Sequence, residues 1–403
     1  MSDNRNKAIM FRFGGIGDSL MLTAVARILN ARGFDVTFCV PEKQVELYNN
    51  LIFIKEVKAI RRLPNLNNGV DCVKGKYGWV STDIIKRELH AKDYLILDYK
   101  FSIEANSQWR ALPRNKHHSV WCDSMNSNYM NWVDLSLAWA NIDWTAVDSS
   151  AKRPVYKIEA AEIEWALQQL PSDNFVAVNL TASSLARTFY SQVQLVKQLI
   201  ELDYPVLVFD NKSGWTYLEK NYRKHIPVNS VRQSAALIYN AQIGIFADSG
   251  ISHIAEAIGL KNITLYTTVP AWTRCKYYLY TYPMQTNVEC SPCFIIGKYC
   301  PLTEYEVDVL NKGLTKHEKQ ILKLTSNGRP PHEVAAELGT NLAGIQYELN
   351  AIANKKEALK NKEPKCMHSF DINSIIQKMQ GILGEYRSKT DEETIYRHNY
   401  IDV

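Results

Sequence analysis

Ile245-Phe246-Ala247-Asp248-Ser249-Gly250-Ile251-Ser252-His253-Ile254-Ala255-Glu256-Ala257-Ile258-Gly259 is the stretch on which the reading of the chain turns. It opens as an apolar run and stops at Asp-Ser-Gly. Ile251, Ile254, Ala255 and Ile258 then recur at helical spacing until Gly259, and a second apolar run follows from Ile263 to Tyr266. The pattern predicts strand, tight loop, helix, strand. An open α/β sheet binds ligands at such a loop, where a strand ends and a helix begins. Free backbone N–H groups there suit a phosphate. Asp248 and His253 add polar contacts for the rest of a nucleotide. The plainer alternative is that Asp-Ser only caps the helix.

The N-terminus carries a related unit. Lys7 to Phe13 is apolar apart from Arg12 and ends in Gly14-Gly15-Ile16-Gly17-Asp18. Leu20, Thr23, Ala24, Ala26, Arg27 and Leu29 follow as an amphipathic helix that ends near Gly33, and Val36 to Val40 is the next strand. Glycines in the loop permit close approach of a ligand to the main chain. Their spacing is not the G-x-G-x-x-G dinucleotide fingerprint. Asp18 is expected to be a general base in the cleft; the alternative is a carboxylate that favours the positive end of the helix dipole.

Between these units the chain is read more coarsely. Tyr94 to Asp98 is a buried strand. Trp79, Trp109, Trp121, Trp132, Trp139 and Trp144 lie near it in sequence, with Arg110, Arg114, Lys116, His117 and His118. They form either an aromatic and basic acceptor surface or ordinary core. Ala151 to Pro154 reads as an interdomain linker. A helix from Ile158 to Leu170 leads to the strand Phe175 to Leu180 and to the loop Thr181-Ala182-Ser183-Ser184-Leu185-Ala186-Arg187, whose hydroxyls and arginine suit a phosphate. Helix Gln192 to Leu202, strand Pro205 to Asp210 and helix Ser234 to Asn240 continue the alternation of a doubly wound domain. A last helix near Ile372 to Leu383 closes it.

Composition sets the bounds. A chain of 403 residues fits two domains with room for an insert. An apolar fraction of 46% supports sizeable cores, and a net charge of +5 permits an anionic partner without requiring one. No window holds the roughly 18 uninterrupted apolar residues of a membrane span. No signal peptide is read at the start, so the expected location is cytoplasmic, in a bacterium or a phage-infected host. The eight cysteines are then thiols or metal ligands rather than disulfides.

The motifs resemble those of lipopolysaccharide heptosyltransferases, GT-B glycosyltransferases built from two Rossmann-like domains. Gly15-Ile16-Gly17-Asp18 matches an N-terminal G-x-G-D. Asp248, Ser249, Gly250, His253, Ala255, Ala257 and Gly259 match D-[ST]-G-x-x-H-x-A-x-A-x-G. Cys290-Ser291-Pro292-Cys293, Cys300-Pro301 and Cys366-Met367 match a C-terminal C-x-P-C, Cys-Pro, Cys-Met series. The resemblance implies inverting transfer from a nucleotide sugar, with no metal needed for catalysis. Asp18 would be the base. The donor would be held by Gly15, Gly17, Thr181, Ser183, Ser184, Arg187, Asp248, Ser249, Gly250 and His253. Arg187 stands where such proteins usually have Lys, and Thr267-Thr268-Val269-Pro270 replaces their glycine-containing turn.

Roughly 65 residues separate Cys-Pro from Cys-Met here, where only a few are usual. Leu314-Thr315-Lys316-His317-Glu318, Gly328, Glu333-Val334-Ala335 and Leu338-Gly339 within them resemble the helix-turn-helix of LuxR-type regulators. Three short amphipathic helices would form a small module whose last helix enters a major groove. Asn341, Gln346, Tyr347, Asn350, Lys355 and Lys356 are its candidate DNA-binding residues. That last helix is not basic and carries Glu348, so binding should be weak and salt-sensitive; a protein-binding module is the alternative. Cys290, Cys293, Cys300 and Cys366 flank the insert, and as four thiolates they would bind a structural zinc.

The expected domains are therefore residues 1–150, residues 155–301 with 365–389, an insert at 302–364 and a polar tail at 390–403. The expected function is sugar transfer to a hydroxyl on double-stranded, hydroxymethylated DNA, with the insert engaging the DNA. The alternatives are transfer in lipopolysaccharide or surface-polysaccharide synthesis, and a DNA-binding regulator on an inactive transferase core.

Overall fold

The structure is a computed structural model that describes residues 6–63, 70–76, 78–99, 130–209, 214–288, 291–292, 317, 320–321, 324, 331–341, 343–345, 348–349 and 365–387. Two α/β sheets form the frame. The first is built from β1 (Asn6–Phe11), α1 (Ile16–Ala31), β2 (Phe34–Pro41), β3 (Glu56–Leu63), β4 (Val70–Gly75), β5 (Gly78–Ser81), α2 (Thr82–His90), β6 (Leu95–Asp98) and α3 (Trp132–Trp139). Its strand order is β5-β4-β3-β2-β1-β6. β6, β1, β2 and β3 run parallel; β4 and β5 extend the edge antiparallel.

The second sheet contains α4 (Ala160–Gln169), β7 (Val176–Asn179), α5 (Gln192–Glu201), β8 (Val206–Phe209), β9 (Gly214–Glu219), β10 (Tyr222–Pro227), α6 (Val231–Tyr239), β11 (Ile243–Ala247), α7 (Gly250–Ala257), β12 (Asn262–Tyr266), α8 (Ala271–Cys275) and β13 (Thr281–Gln285). Its order is β10-β9-β8-β7-β11-β12-β13. The expected alternation of strand and helix breaks once. After β8 the chain returns as an antiparallel hairpin, β9 and β10, before α6. Gly214 sits where the hairpin backbones crowd: a Cβ there would lie 2.2 Å from the Ile226 carbonyl oxygen.

Strands buried on both faces explain the continuous apolar runs. In β1, Ala8 and Met10 face α1, whereas Ile9 and Phe11 join Cys39, Ile60 and Val73 on the opposite face. α1 was expected to be amphipathic and is instead buried almost all round, from Leu20 to Leu29. It lies inside one core that runs through α3 and α7 into the second sheet. The far face of the second sheet is covered by α11 (Ile372–Arg387), whose Ile375, Ile376, Met379 and Ile382 pack on Val178, Ile243 and Leu265. This is the closing helix expected from the sequence. It follows α9 (Pro331–Glu337) and α10 (Lys365–His368).

Within the insert, Ile321, Val334, Ala335 and Ile345 form a small apolar cluster of their own, with Leu324, Leu338 and Leu349 against it. Of the tryptophans, Trp132 is buried, and Trp139 and Trp144 pack against the main core. Trp79 lies under the Arg61 guanidinium, 3.8 Å from its ring centroid. Trp109, Trp121, Arg110, Arg114, Lys116, His117 and His118 lie outside the described residues. No helix among the described residues is long and apolar enough to cross a membrane.

Candidate functional site

Three loops converge on a cleft of about 700 Å³. They are the β1–α1 loop, the loop after β7 and the β11–α7 loop. Strand order reverses between β1 and β6 in the first sheet and between β7 and β11 in the second. The carboxyl ends at those switch points are where an open sheet leaves a crevice. The two glycine motifs meet there. A Cβ on Gly17 would sit 2.3 Å from His253 Cδ2, and one on Gly250 would sit 3.1 Å from Ile16 Cβ. The starts of α1 and α7 therefore pack directly: a side chain at Gly17 would displace the His253 ring, and one at Gly250 would push Ile16 by a few tenths of an ångström. Gly17→Ala is expected to cost about 1–3 kcal/mol, as overpacking does, and to displace the His253 ring. A thermal melt indistinguishable from wild type would show that the ring has room to move.

Asp18 accepts a hydrogen bond from Arg12 Nη2 at 2.7 Å. Arg12 is fully buried and also donates to the Tyr99 carbonyl at 2.9 Å. Burial pushes the Asp18 carboxyl up, but Arg12, Arg274 and His253 together outweigh it and hold the group below its ordinary value. Asp18 is thus ionised at neutral pH, and with its side chain 23% exposed it is reachable from the cleft. It can accept a proton from a hydroxyl.

The facing wall is built around Asp248, which is buried at the end of β11. Arg187 Nη1 donates to the Asp248 carbonyl at 3.0 Å and lies 3.5 Å from its carboxylate; Arg187 Nη2 donates to Ser183 Oγ at 3.0 Å. Arg187 thus ties the loop after β7 to the β11–α7 loop. Ser249 is the N-cap of α7 and forms a capping box with Ser252. His253 Nδ1 is 2.6 Å from the Tyr278 hydroxyl, and Nε2 is 3.9 Å from Asp248 Oδ1. Burial lowers the His253 pKa against the pull of Asp248 and Asp18, so the ring is neutral at pH 7.

Of the expected site residues, Gly15, Gly17, Asp18, Thr181, Ser183, Arg187, Asp248, Ser249, Gly250 and His253 line this one cleft. Ser184 does not: it is buried, and its carbonyl accepts from Arg187 N and Thr188 Oγ1. Thr181 N and Oγ1 both bind Asn179 Oδ1, at 3.1 and 2.9 Å. Lining residues that escaped the sequence reading include Asn179, Phe209, Trp215, Val231, Ser234 and Arg274. Arg12, which holds Asp18, carried a signal. An arginine at the end of an otherwise apolar strand needs a buried partner. Trp215 is fully buried and donates to Ser234 Oγ at 3.1 Å, with Phe209 against it at 5.2 Å between ring centroids.

Of the candidate DNA-binding residues, Asn341 caps a turn, accepting from Gly344 N at 2.7 Å. Gln346, Tyr347, Asn350, Lys355 and Lys356 lie outside the described residues. So do Cys290, Cys293 and Cys300. Cys366 is buried, its Sγ 3.7 Å from the Ala186 carbonyl. Among the described residues no group of three or more His, Cys, Asp or Glu is placed to hold a metal. Cys39, Cys72 and Cys275 are buried, and Cys122 lies outside the described residues.

Residues 135–302 match the family model Glycosyltransferase family 9 (heptosyltransferase). Solved structures of similar shape include the family 9 glycosyl transferase of Veillonella parvula DSM 2008, at 12% identity over 78% of this chain and 92% of that one, with a TM-score of 0.48. E. coli ADP-heptose lps heptosyltransferase II is 15% identical over 76% of this chain and 100% of its own, with a TM-score of 0.45. The dodecameric iron-containing glycosyltransferase TibC of enterotoxigenic E. coli H10407 is 14% identical over 72% and 65%, with a TM-score of 0.43. Comparison with curated proteins finds no match. The family match takes in both loops of the second sheet that line the cleft, and on that ground the chain is a glycosyltransferase.

Proposed function

We propose that the protein is an inverting glycosyltransferase that moves a sugar from a nucleotide-sugar donor to a hydroxyl on modified DNA, a 5-hydroxymethylpyrimidine base. One observation carries the transfer chemistry: an ionised carboxylate, Asp18, and the amide end of α7 line one cleft. The acceptor oxygen attacks the anomeric carbon and its proton passes to Asp18. The bond from that carbon to the diphosphate breaks, and the electron pair leaves with the diphosphate. Backbone amides at the start of α7, with Arg187 beside them, offset the charge that develops.

Ordinary bases offer no good hydroxyl, so DNA as acceptor implies a premodified base. The insert supports DNA. Its apolar cluster is separate from the main cores, α9 is followed by Gly339 at φ +65°, and Asn341 caps the next turn. That order suits a helix-turn-helix. The second reading is transfer of a heptose in surface-polysaccharide synthesis, with the insert binding a protein. It is favoured by the heptosyltransferase description of the matching family.

The test is direct. Unmodified, methylated and hydroxymethylated DNA are incubated with the protein and a panel of nucleotide sugars, and digested nucleosides are weighed. A mass increment of one sugar on the hydroxymethylated base is expected. No increment with any donor, alongside transfer to a lipid-linked core sugar, would establish the second reading instead. Removing residues 302–364 is expected to slow action on long DNA more than on short oligonucleotides. Equal losses would make the insert a folding element. A four-thiolate zinc site at Cys290, Cys293, Cys300 and Cys366 predicts stoichiometric zinc in the purified protein, and metal analysis without it removes that site.

A further inference from the structure

Arg274 stands in the cleft uncommitted. It is carried on α8, is half-buried, and lines the cleft together with Asp18 and His253. Among the described residues its guanidinium makes no hydrogen bond or ion pair. The neighbouring guanidiniums are taken up by the protein itself: Arg12 by Asp18 and Tyr99, Arg187 by Asp248 and Ser183. A partly desolvated guanidinium whose N–H groups make no hydrogen bond is unfavourable unless a ligand completes it.

Its place is set by the first unit, although the second encodes it. Asn131 Nδ2 donates to the carbonyls of Trp272 and Thr273 at 3.2 and 3.3 Å. Asp134 is 2% exposed and takes Lys276 Nζ at 3.2 Å and the Tyr277 hydroxyl at 2.7 Å, with Lys152 Nζ at 2.9 Å. Both residues flank the start of α3. The residues on either side of Arg274 are thus fastened to the unit that carries Asp18. Further along the same segment, Tyr278 reaches back to His253. In the proposed reading Arg187 and the amide end of α7 serve the donor diphosphate; Arg274 lines the same cleft close enough to Asp18 for its charge to act on that carboxyl.

We infer that Arg274 reads an anion on the acceptor: its guanidinium pairs with a phosphate of the nucleic-acid strand that carries the hydroxyl facing Asp18. The inference rests on the reading of Asp18 as the base and names the acceptor group that the same site selects. It also links binding to chemistry. The Arg274 charge is one of those holding the Asp18 carboxyl down. A phosphate seated on Arg274 cancels that charge, so the base strengthens when the acceptor arrives.

The full chain is assayed with a saturating donor on 5-hydroxymethyldeoxycytidine and on its 5′-monophosphate. Wild type is expected to favour the monophosphate about tenfold or more in kcat/KM, as charge-assisted pairing gives. Arg274→Ala should collapse that ratio toward one, and Arg274→Lys should recover part of it. The acidic limb of the wild-type pH profile should lie higher with the monophosphate than with the nucleoside, and this gap should vanish in Arg274→Ala. Nucleoside diphosphate affinity, read by calorimetry on both variants, should change less than about threefold, since no contact to the leaving group is lost. A tenfold loss there assigns Arg274 to the diphosphate and overturns the inference, as does equal use of the two acceptors by wild type. If wild type glycosylates neither these acceptors nor hydroxymethylated DNA, the DNA reading fails on its own. Inorganic phosphate titrated into diphosphate-saturated protein then decides Arg274: binding lost in Arg274→Ala with an unchanged thermal melt keeps the anion site, and binding retained removes it.

Discussion

Asp18→Asn is expected to lower transfer by about 10²–10⁴-fold, the range for loss of a general base, while nucleotide binding persists. Asparagine keeps the shape and still offers Arg12 an oxygen. Alanine does not. Arg12 is fully buried, and removing the carboxylate 2.7 Å from its guanidinium breaks a buried ion pair, which costs up to about 3–5 kcal/mol. Asp18→Ala should therefore lose stability as well as activity, and Asp18→Asn is the cleaner probe. The pH dependence follows from the depressed carboxyl. A group lowered on folding stabilises the fold above its unfolded pKa, and that contribution is lost as pH falls through the folded value. Asp18 therefore adds nothing to the pH dependence of stability from neutral down to about pH 4, with losses below. The acidic limb of the free enzyme should lie below the ordinary carboxylate range for the same reason. Full activity in Asp18→Asn would make Asp18 only the counter-ion of Arg12.

The two loops were legible because their constraints are partly local. An apolar run, a glycine turn and a helical repeat mark a strand that ends at a switch point, and β1, β2, β6, β7, β8, β11 and β12 fall within a few residues of where periodicity puts them. The reason for Gly17 was not legible. It lies in the His253 ring, which belongs to the other sheet. The antiparallel strands were harder for a different reason. β3, β4, β5 and β10 lie toward the sheet edges with half-exposed faces, where strand preference is weak and context decides. In β9, Trp215, Thr216 and Tyr217 are all buried, so burial marks no period of two there. Arg12 was visible as an anomaly. Arg274 and Tyr278 had no local signature, because what places them is Asn131, Asp134 and His253, all distant in sequence.

Glu256→Ala is the substitution expected to cost the fold most, about 3–5 kcal/mol. Glu256 is 0% exposed on α7, one turn past His253. Its Oε1 accepts from Arg153 Nε and Nη2 at 3.2 and 3.0 Å and from Leu279 N at 2.9 Å; its Oε2 accepts from Tyr280 N at 2.9 Å and Thr281 Oγ1 at 3.1 Å. Alanine removes the buried carboxylate that pairs with Arg153 and takes the acceptor from the Leu279 and Tyr280 amides. The position matters because Arg153 belongs to the linker, which α1 grips from the other side: Arg27 Nη2 donates to the carbonyls of Ser150, Ala151 and Arg153, and Val155 N donates to Thr23. One carboxylate thus fixes α7, the linker and the chain leading out of the Arg274–Tyr278 segment. Glu256→Gln should fall between wild type and alanine, since its amide must turn a donor toward another donor. Replacing both partners, Glu256→Met with Arg153→Met, should recover part of the loss, because an apolar pair leaves no buried charge unpaired. Urea midpoints of the four proteins check this. If Glu256→Ala unfolds within about 0.5 kcal/mol of wild type, the range of ordinary surface changes, water has replaced the carboxylate. The two site helices are then held by their shared apolar core and by the Gly17–His253 and Gly250–Ile16 contacts.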